Sequence, residues 1–195
     1  MSALTPEVAA ANAARSIALQ MLEERGRGAV LVGVARVDAA LEHLLQALMG
    51  PAPPRADGLF LPDRPLGSLG AKVALARRLG LIDAPVEQAL STLRKLRNAF
   101  AHSSASASLG DPAHGNRLAA IYTAARANPL WSPLEAVLTA QPACRQGALD
   151  PALRDYILLI TILVAFLEAT AQRLTPYRAP VVMGFAGVLH QETTS

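Results

Sequence analysis

Helix-capping residues with a proline directly after them recur along the sequence, and they restrict the fold more than any other feature. Four such pairs that predict helix starts are Thr5-Pro6, Asp111-Pro112, Ser132-Pro133 and Asp150-Pro151. A Ser, Thr or Asp side chain accepts a hydrogen bond from a free N–H at a helix start, and proline fits the first turn because its missing N–H would have had no partner. Glu135, three residues after Ser132, adds a capping box. The chain is therefore predicted to be built from helices.

Glycines, prolines and the three- and four-residue spacing of apolar residues divide the chain into seven predicted helices. These cover about 6–25, 29–49, 68–79, 84–102, 112–127, 133–140 and 151–174. Gly26-Arg27-Gly28 separates the first two helices, and Pro176 ends the last one. The prediction is an all-α, single-domain bundle of about six to seven helices over 1–176, with the second and fourth helices at its centre. The tail 177–195 is predicted to be a strand, or a short C-terminal arm packed on a partner chain.

The composition favours packed helices and a partner chain. Hydrophobic residues make up 52% of the sequence but aromatic residues only 4%, so the apolar content is mostly Ala, Leu and Val, which suits helices better than sheets. Charged residues are 17%, below the roughly 25% of an average domain. Much of each helix should therefore be buried, either in the core or in an interface, and we expect a homodimer.

Cysteine content and the longest apolar run indicate where the protein works. Cys144 is the one cysteine, which excludes an intrachain disulfide and fits a reducing compartment. The first 25 residues lack the basic segment and apolar core of a secretory signal. The most apolar run, 156–167, is shorter than the roughly 20 residues that cross a bilayer. We expect a cytoplasmic protein with no membrane segment.

The segment 65–103 carries most of the functional information. Pro65-Leu66-Gly67-Ser68, Lys72, the run 79–82 and the run 93–103 resemble the mannitol operon repressor (MltR-like) family in residue type and order, as do the upstream runs 28–31 and 38–42. The resemblance covers roughly 25–103. It implies a transcriptional regulator, and because the family's members are not obvious DNA binders, we expect it to act through a regulatory protein partner.

Arg97, Asn98 and His102 also resemble the Arg-x4–6-His signature of HEPN domains, which are small helical bundles. That resemblance implies a ribonuclease that cleaves RNA without a metal. The chemistry fits, because histidine transfers protons near neutral pH and arginine binds phosphate and stabilises developing charge. On one regular helix Arg97 and His102 lie about 140° apart. Both would act on one phosphate only if the helix end unwound or two chains combined their residues.

A third interpretation is a helix-turn-helix repressor that binds DNA directly. Ala76, Gly80 and Val86 have its spacing, and a glycine allows the tight turn between the helices. The helix 84–102 would then lie in the major groove. Its exposed residues would be Gln88, Ser91, Thr92 and Lys95. This requires a helix that protrudes, whereas an apolar stripe of leucines along it favours burial.

Each candidate residue also has a structural interpretation. Arg97 is predicted to pair with Asp38 or Glu42, four residues apart on one helix face, because a buried charge needs a partner. Lys72 is expected to pair with an acid or to be solvated. His102 would interact with the helix C-terminus, and Asn98 would hydrogen-bond along its helix. Arg94 and Lys95 join Arg77, Arg78 and Arg97 in a possible basic patch for an acidic partner or nucleic acid.

No metal site or cofactor is predicted. The four histidines, His43, His102, His114 and His190, are scattered along the chain, and no pair has the spacing of zinc ligands. No glycine-rich phosphate loop follows a strand.

Overall fold

A computed structural model describes residues 6–49, 58–102, 107–141, 144, 149–178, 181–185 and 187–190. The described helices are α1 (Pro6–Met49), α2 (Leu69–Arg78), α3 (Ala84–His102), α4 (Pro112–Arg126), α5 (Trp131–Thr139) and α6 (Pro151–Ala171). Two short strands, β1 (Val181–Gly184) and β2 (Gly187–His190), follow and form an antiparallel hairpin. The predicted all-α, single-domain bundle is confirmed, and the tail contains a strand pair.

The first two predicted helices are one element, so the predicted break at 26–28 is wrong. α1 has 44 residues, and Gly26 lies inside it with φ +44°, a left-handed conformation that glycine adopts readily. The buried side of the helix continues across this point, with Leu22 before it and Ala29 and Val30 after it. A glycine costs a helix only about 1 kcal/mol, which the burial of this apolar side offsets.

Two of the predicted capping residues do cap helices, whereas a third lies inside one. Asp111 accepts a hydrogen bond from Ala113 at the start of α4, and Asp150 accepts one from Ala152 at the start of α6. α5, by contrast, begins at Trp131 without a side-chain cap, so the predicted capping box at Ser132 is wrong. The preceding turn is closed instead by Asn128, whose side chain accepts from the N–H of Leu130. Thr5 lies outside the described residues.

The core forms where the second half of α1 packs along α6. Every residue of α6 from Tyr156 to Val164 is buried, and the Tyr156 hydroxyl donates to the Val30 carbonyl at 3.0 Å. A Cβ atom at Gly33 would lie 2.9 Å from that hydroxyl, so glycine is required for this close approach. The sequence predicts the second and fourth helices at the centre of the bundle. The predicted second helix is part of α1, which is central, but α1 packs mainly against α6 and less against α3, the predicted fourth helix.

None of the helices in the described part of the chain combines the length and the apolar character needed to cross a membrane.

Candidate functional site

α3 lies against α1, α2 and α4 and turns one narrow side outward. Its buried residues, Ala89, Leu90, Leu93, Leu96 and Phe100, follow the three- and four-residue spacing of one helix face. Gly80, with φ +72°, forms the turn after α2, and Asp83 accepts from the N–H of Val86 in the first turn of α3. The helix is therefore fixed along its length, and its outward residues have defined positions.

The outward side of the C-terminal half of α3 is polar and exposed. Lys95, Asn98 and His102 are spaced by three and four residues and so share one face. Arg94 and Arg97 are also exposed, at the flanks of that face. The side chains of Arg97, Asn98 and His102 have no hydrogen bond or ion pair with any residue of the described ranges. All three are therefore available to a ligand.

This part of α3 is positively charged. From Ser91 to His102 the sequence contains three cations and no carboxylate. The one acid of the helix, Glu87, lies nearer its N-terminus and pairs with Arg77 at 3.2 Å. The helix dipole stabilises cations near a helix C-terminus, and the side chains of Arg94, Lys95 and Arg97 are exposed to solvent. An anionic ligand would find complementary charge here.

The predicted pair between Arg97 and the acids of α1 is wrong, because Lys72 occupies that position. Its Nζ atom lies 2.8 Å from Asp38 and 2.7 Å from Glu42. Only 3% of Lys72 is exposed, and burial alone would lower its pKa. The hydrogen bonds to Asp38 and Glu42, together with the negative charges of these two carboxylates, outweigh burial, so the pKa of Lys72 lies above its ordinary value. Asp38, Glu42 and Lys72 thus join α1 to α2, and Arg97 is left exposed.

Two further residues, Arg27 and His114, contact the C-terminal end of α3, and no local sequence pattern indicates either contact. The Arg27 guanidinium donates to the Ala101 carbonyl at 2.9 Å. The His114 ring, in the first turn of α4, packs against Phe100 with 5.1 Å between ring centroids. Arg27 lies where the sequence predicts a break between helices, and His114 has no recognisable partner in the sequence. Because α1 is continuous and α4 begins at Asp111-Pro112, both reach the same end of α3.

Helix geometry determines which residues of α3 are neighbours of Arg97. α3 remains helical through His102, so Arg97 and His102 diverge by about 140° within one chain. Arg97 instead precedes Phe100 by three residues and Ala101 by four, and such residues are neighbours on a helix surface. Arg97 is therefore a surface neighbour of Phe100 and Ala101, and Asn98 is likewise a neighbour of His102.

α3 does not have the protruding face that insertion in a DNA major groove requires. It packs against three other helices. Of the four residues expected to read bases, Gln88 and Lys95 are exposed, whereas Ser91 and Thr92 are half-buried.

Two adjoining grooves, with cavity volumes of about 440 and 380 Å³, lie at the opposite end of α3. They share Asp83, Val86, Leu163 and Phe166 and are lined mainly by apolar side chains. Phe166 stands between them with 46% of its surface exposed. Neither groove contains Arg97, Asn98 or His102, so they offer an apolar surface separate from the basic one.

A buried carboxylate, Asp155, belongs to an ion-pair network that connects α4, α5 and α6. It is bonded by Arg126 and, at 2.9 Å, by Arg154, which also pairs with Glu135 at 3.1 Å. Arg126 lies over the rings of Tyr122 and Trp131. Burial and the nearby Asp155 charge raise the pKa of Tyr122. These groups bond mainly to one another, which indicates a structural role.

The described residues contain no group of three or more His, Cys, Asp or Glu side chains that could hold a metal ion. Comparison with protein-family models, with curated proteins and with solved structures gives no match for this chain.

Proposed function

We propose that the chain is an HEPN-like, metal-independent endoribonuclease that works as a cytoplasmic homodimer without a cofactor. The observation that supports this most strongly is the exposure of Arg97, Asn98 and His102 on a positively charged helix end, with no structural partner among the described residues. A structural role would have consumed the charge of Arg97 in an ion pair, and Lys72 holds that position.

In the proposed reaction, His102 takes the proton of a ribose 2′-hydroxyl. The 2′ oxygen then attacks the adjacent phosphorus, the bond from phosphorus to the 5′ oxygen breaks, and a proton is returned to that leaving oxygen. The products are a 2′,3′-cyclic phosphate and a 5′-hydroxyl. Arginine stabilises the charge that develops on the phosphate oxygens. Since Arg97 and His102 of one chain diverge, Arg97 of one copy acts with His102 of the other.

The test is cleavage of a mixed, labelled RNA pool in EDTA by the wild-type protein and by His102→Ala. We expect the substitution to lower the cleavage rate by a factor of about 10² or more, because it removes a general acid–base group. Gln88→Ala, exposed near the other end of the same helix, is the matched control and should cleave like the wild type. A folded wild-type protein that leaves the RNA intact would refute the proposal.

A second candidate function is an MltR-like transcriptional regulator that acts through protein–protein contacts. The exposed Phe166 between two apolar grooves favours it, because contiguous apolar surface marks protein interaction sites. Deletion of the gene should then raise the transcripts of at least one operon. Complementation with Phe166→Ser should fail to restore repression, whereas His102→Ala should restore it. The reverse pattern would assign the regulation to RNA cleavage.

A further inference from the structure

Exposed apolar side chains are concentrated at one end of the bundle, the end where the two grooves lie. Met49 ends α1, Leu79 directly follows α2, and Phe166 of α6 stands between the grooves; all three are exposed. Tyr177 is also exposed, and its N–H donates to the Leu48 carbonyl of α1 at 2.7 Å. Clustered apolar surface of this kind marks a protein interaction site. This end of the bundle is called the groove end below.

The hairpin of β1 and β2 starts at the groove end, because Val181 follows Tyr177 by only four residues. Among the described residues the two strands pack against each other, and no helix packs extensively along them. A two-stranded hairpin on its own is at most marginally stable in water. Phe185, in the turn between the strands, is fully exposed. The hairpin with Phe185, called the arm below, therefore requires another surface to cover it.

The arm and the groove end are complementary in polarity and in charge. The strands of the arm consist of Val, Met, Gly, Leu and one His, and the grooves are lined mainly by apolar side chains. The segment 172–190 contains two cations, Arg173 and Arg178, and no carboxylate. Asp83 lines both grooves and has no cationic partner in the described part of the chain. An arm on a groove would thus join apolar surfaces and opposite charges.

A second copy of the chain is the occupant that these features favour. Within one chain Phe185 is left exposed and both grooves are open. A twofold-symmetric interface brings the same surface of two copies together, so that surface has to complement itself. The groove end does so because it has both an arm and a groove, and each arm can cover the groove of the other copy.

We infer that two copies exchange arms, with Phe185 of each copy entering the groove beside Phe166 of the other. This rests on the homodimer of the proposed function and names the surface that forms it. An aromatic side chain in an apolar groove is typical of the centre of a protein interface. A twofold axis parallel to α3 places the two groove ends side by side and the two basic ends side by side. One dimer then contains both the exchanged arms and the shared sites of Arg97 and His102.

The molar mass in solution tests the inference, and analytical ultracentrifugation measures it over a range of protein concentrations. The wild type should have twice the chain mass of 20.4 kDa. Phe185→Asp should raise the dimer Kd about 30-fold or more, the effect of losing a central aromatic contact, and should keep the circular dichroism of the wild type. Val137→Asp, at an exposed apolar residue of α5, is the matched control and should remain dimeric. A monomeric wild type, or a Phe185→Asp variant that dimerises like the wild type, would overturn the inference.

Disulfide trapping distinguishes exchange between copies from an arm that folds back on its own groove. All variants carry Cys144→Ser, so the introduced cysteines are the only ones. A chain with Phe185→Cys and a chain with Thr170→Cys, which lines the groove, are mixed, left to exchange subunits and oxidised. We expect a covalent heterodimer, identified by mass, and none when Val137→Cys replaces Thr170→Cys. A mixture without the heterodimer, or a chain with both cysteines that closes on itself as a covalent monomer, would contradict arm exchange.

RNA cleavage is measured on the same preparations, so that the inference and the proposed function can fail separately. A wild-type dimer that depends on Phe185 but leaves RNA intact would refute only the proposed function. Wild-type cleavage by a dimer that is insensitive to Phe185→Asp would overturn only the inference.

Discussion

Lys72 carries a full charge inside the bundle, and its contribution to stability depends on the two carboxylates of α1. Lys72→Met should lower the free energy of unfolding by about 2–4 kcal/mol, because Asp38 and Glu42 would then face each other without a cation. Urea unfolding measures this. Arg78→Met, an exposed change on the same helix, should have an effect below about 0.5 kcal/mol.

The ion pairs of Lys72 with Asp38 and Glu42 predict that the stability of the protein depends on pH. The pKa of Lys72 is raised in the folded protein above its ordinary value of 10.5, so its stabilisation is complete below that pH and is lost as the pH rises through the folded pKa. The difference in free energy of unfolding between the wild type and Lys72→Met should therefore narrow above about pH 10.5. If this difference stays constant to higher pH, with Arg78→Met as reference, the ion pairs of Lys72 do not stabilise the protein as described.

Residue spacing could have identified Lys72 as the partner of the acids. Leu69, Lys72, Val73 and Ala76 are the buried residues of α2 and have the spacing of one helix face. Arg97, by contrast, lies beside the buried face of α3 and is exposed. Whether a charged residue at the edge of a buried face is covered depends on tertiary packing, and the sequence does not specify that.

At the level of elements, glycines in two helices have opposite requirements. Gly26 of α1 has φ +44°, so Gly26→Ala should destabilise the protein by about 1–2 kcal/mol, the cost of a left-handed conformation for a residue with a Cβ. At Gly115 of α4 an added Cβ would meet nothing within 4 Å. Gly115→Ala should therefore stabilise its helix by up to about 1 kcal/mol. Thermal unfolding of both variants compares them directly, and equal effects would show that Gly26 has no special conformation.

Helix ends were predictable where local chemistry determines them and not where packing does. α3 was predicted over 84–102 and spans Ala84–His102, since Asp83 and the end of its apolar stripe mark both ends. α5 begins earlier than its proline suggested because Trp131, which is 5% exposed, is packed into the core. Arg27 and His114 were missed for a related reason: their contacts with α3 join residues far apart in sequence, and no local pattern encodes such pairs.

At the scale of the whole molecule, the basic end of α3 and the apolar grooves at its other end would have different roles in the proposed dimer. The basic end has charge and hydrogen-bonding groups but divergent Arg97 and His102, whereas the grooves near Phe166 offer apolar area. In a twofold-symmetric dimer each subunit contributes the same surface, so two sites form, each with Arg97 from one copy and His102 from the other. The divergence within one chain is then the arrangement that a shared site needs.

Mixing two inactive variants tests this arrangement. Arg97→Gln and His102→Ala homodimers should both be inactive. After joint unfolding and refolding at equal amounts, half of the dimers are mixed and each has one intact site of two, so about a quarter of wild-type cleavage should return. Recovery should scale with the mixed fraction, measured by native mass spectrometry. No recovery in confirmed mixed dimers would place Arg97 and His102 of the same chain at one phosphate, and the end of α3 would then have to unwind when RNA binds.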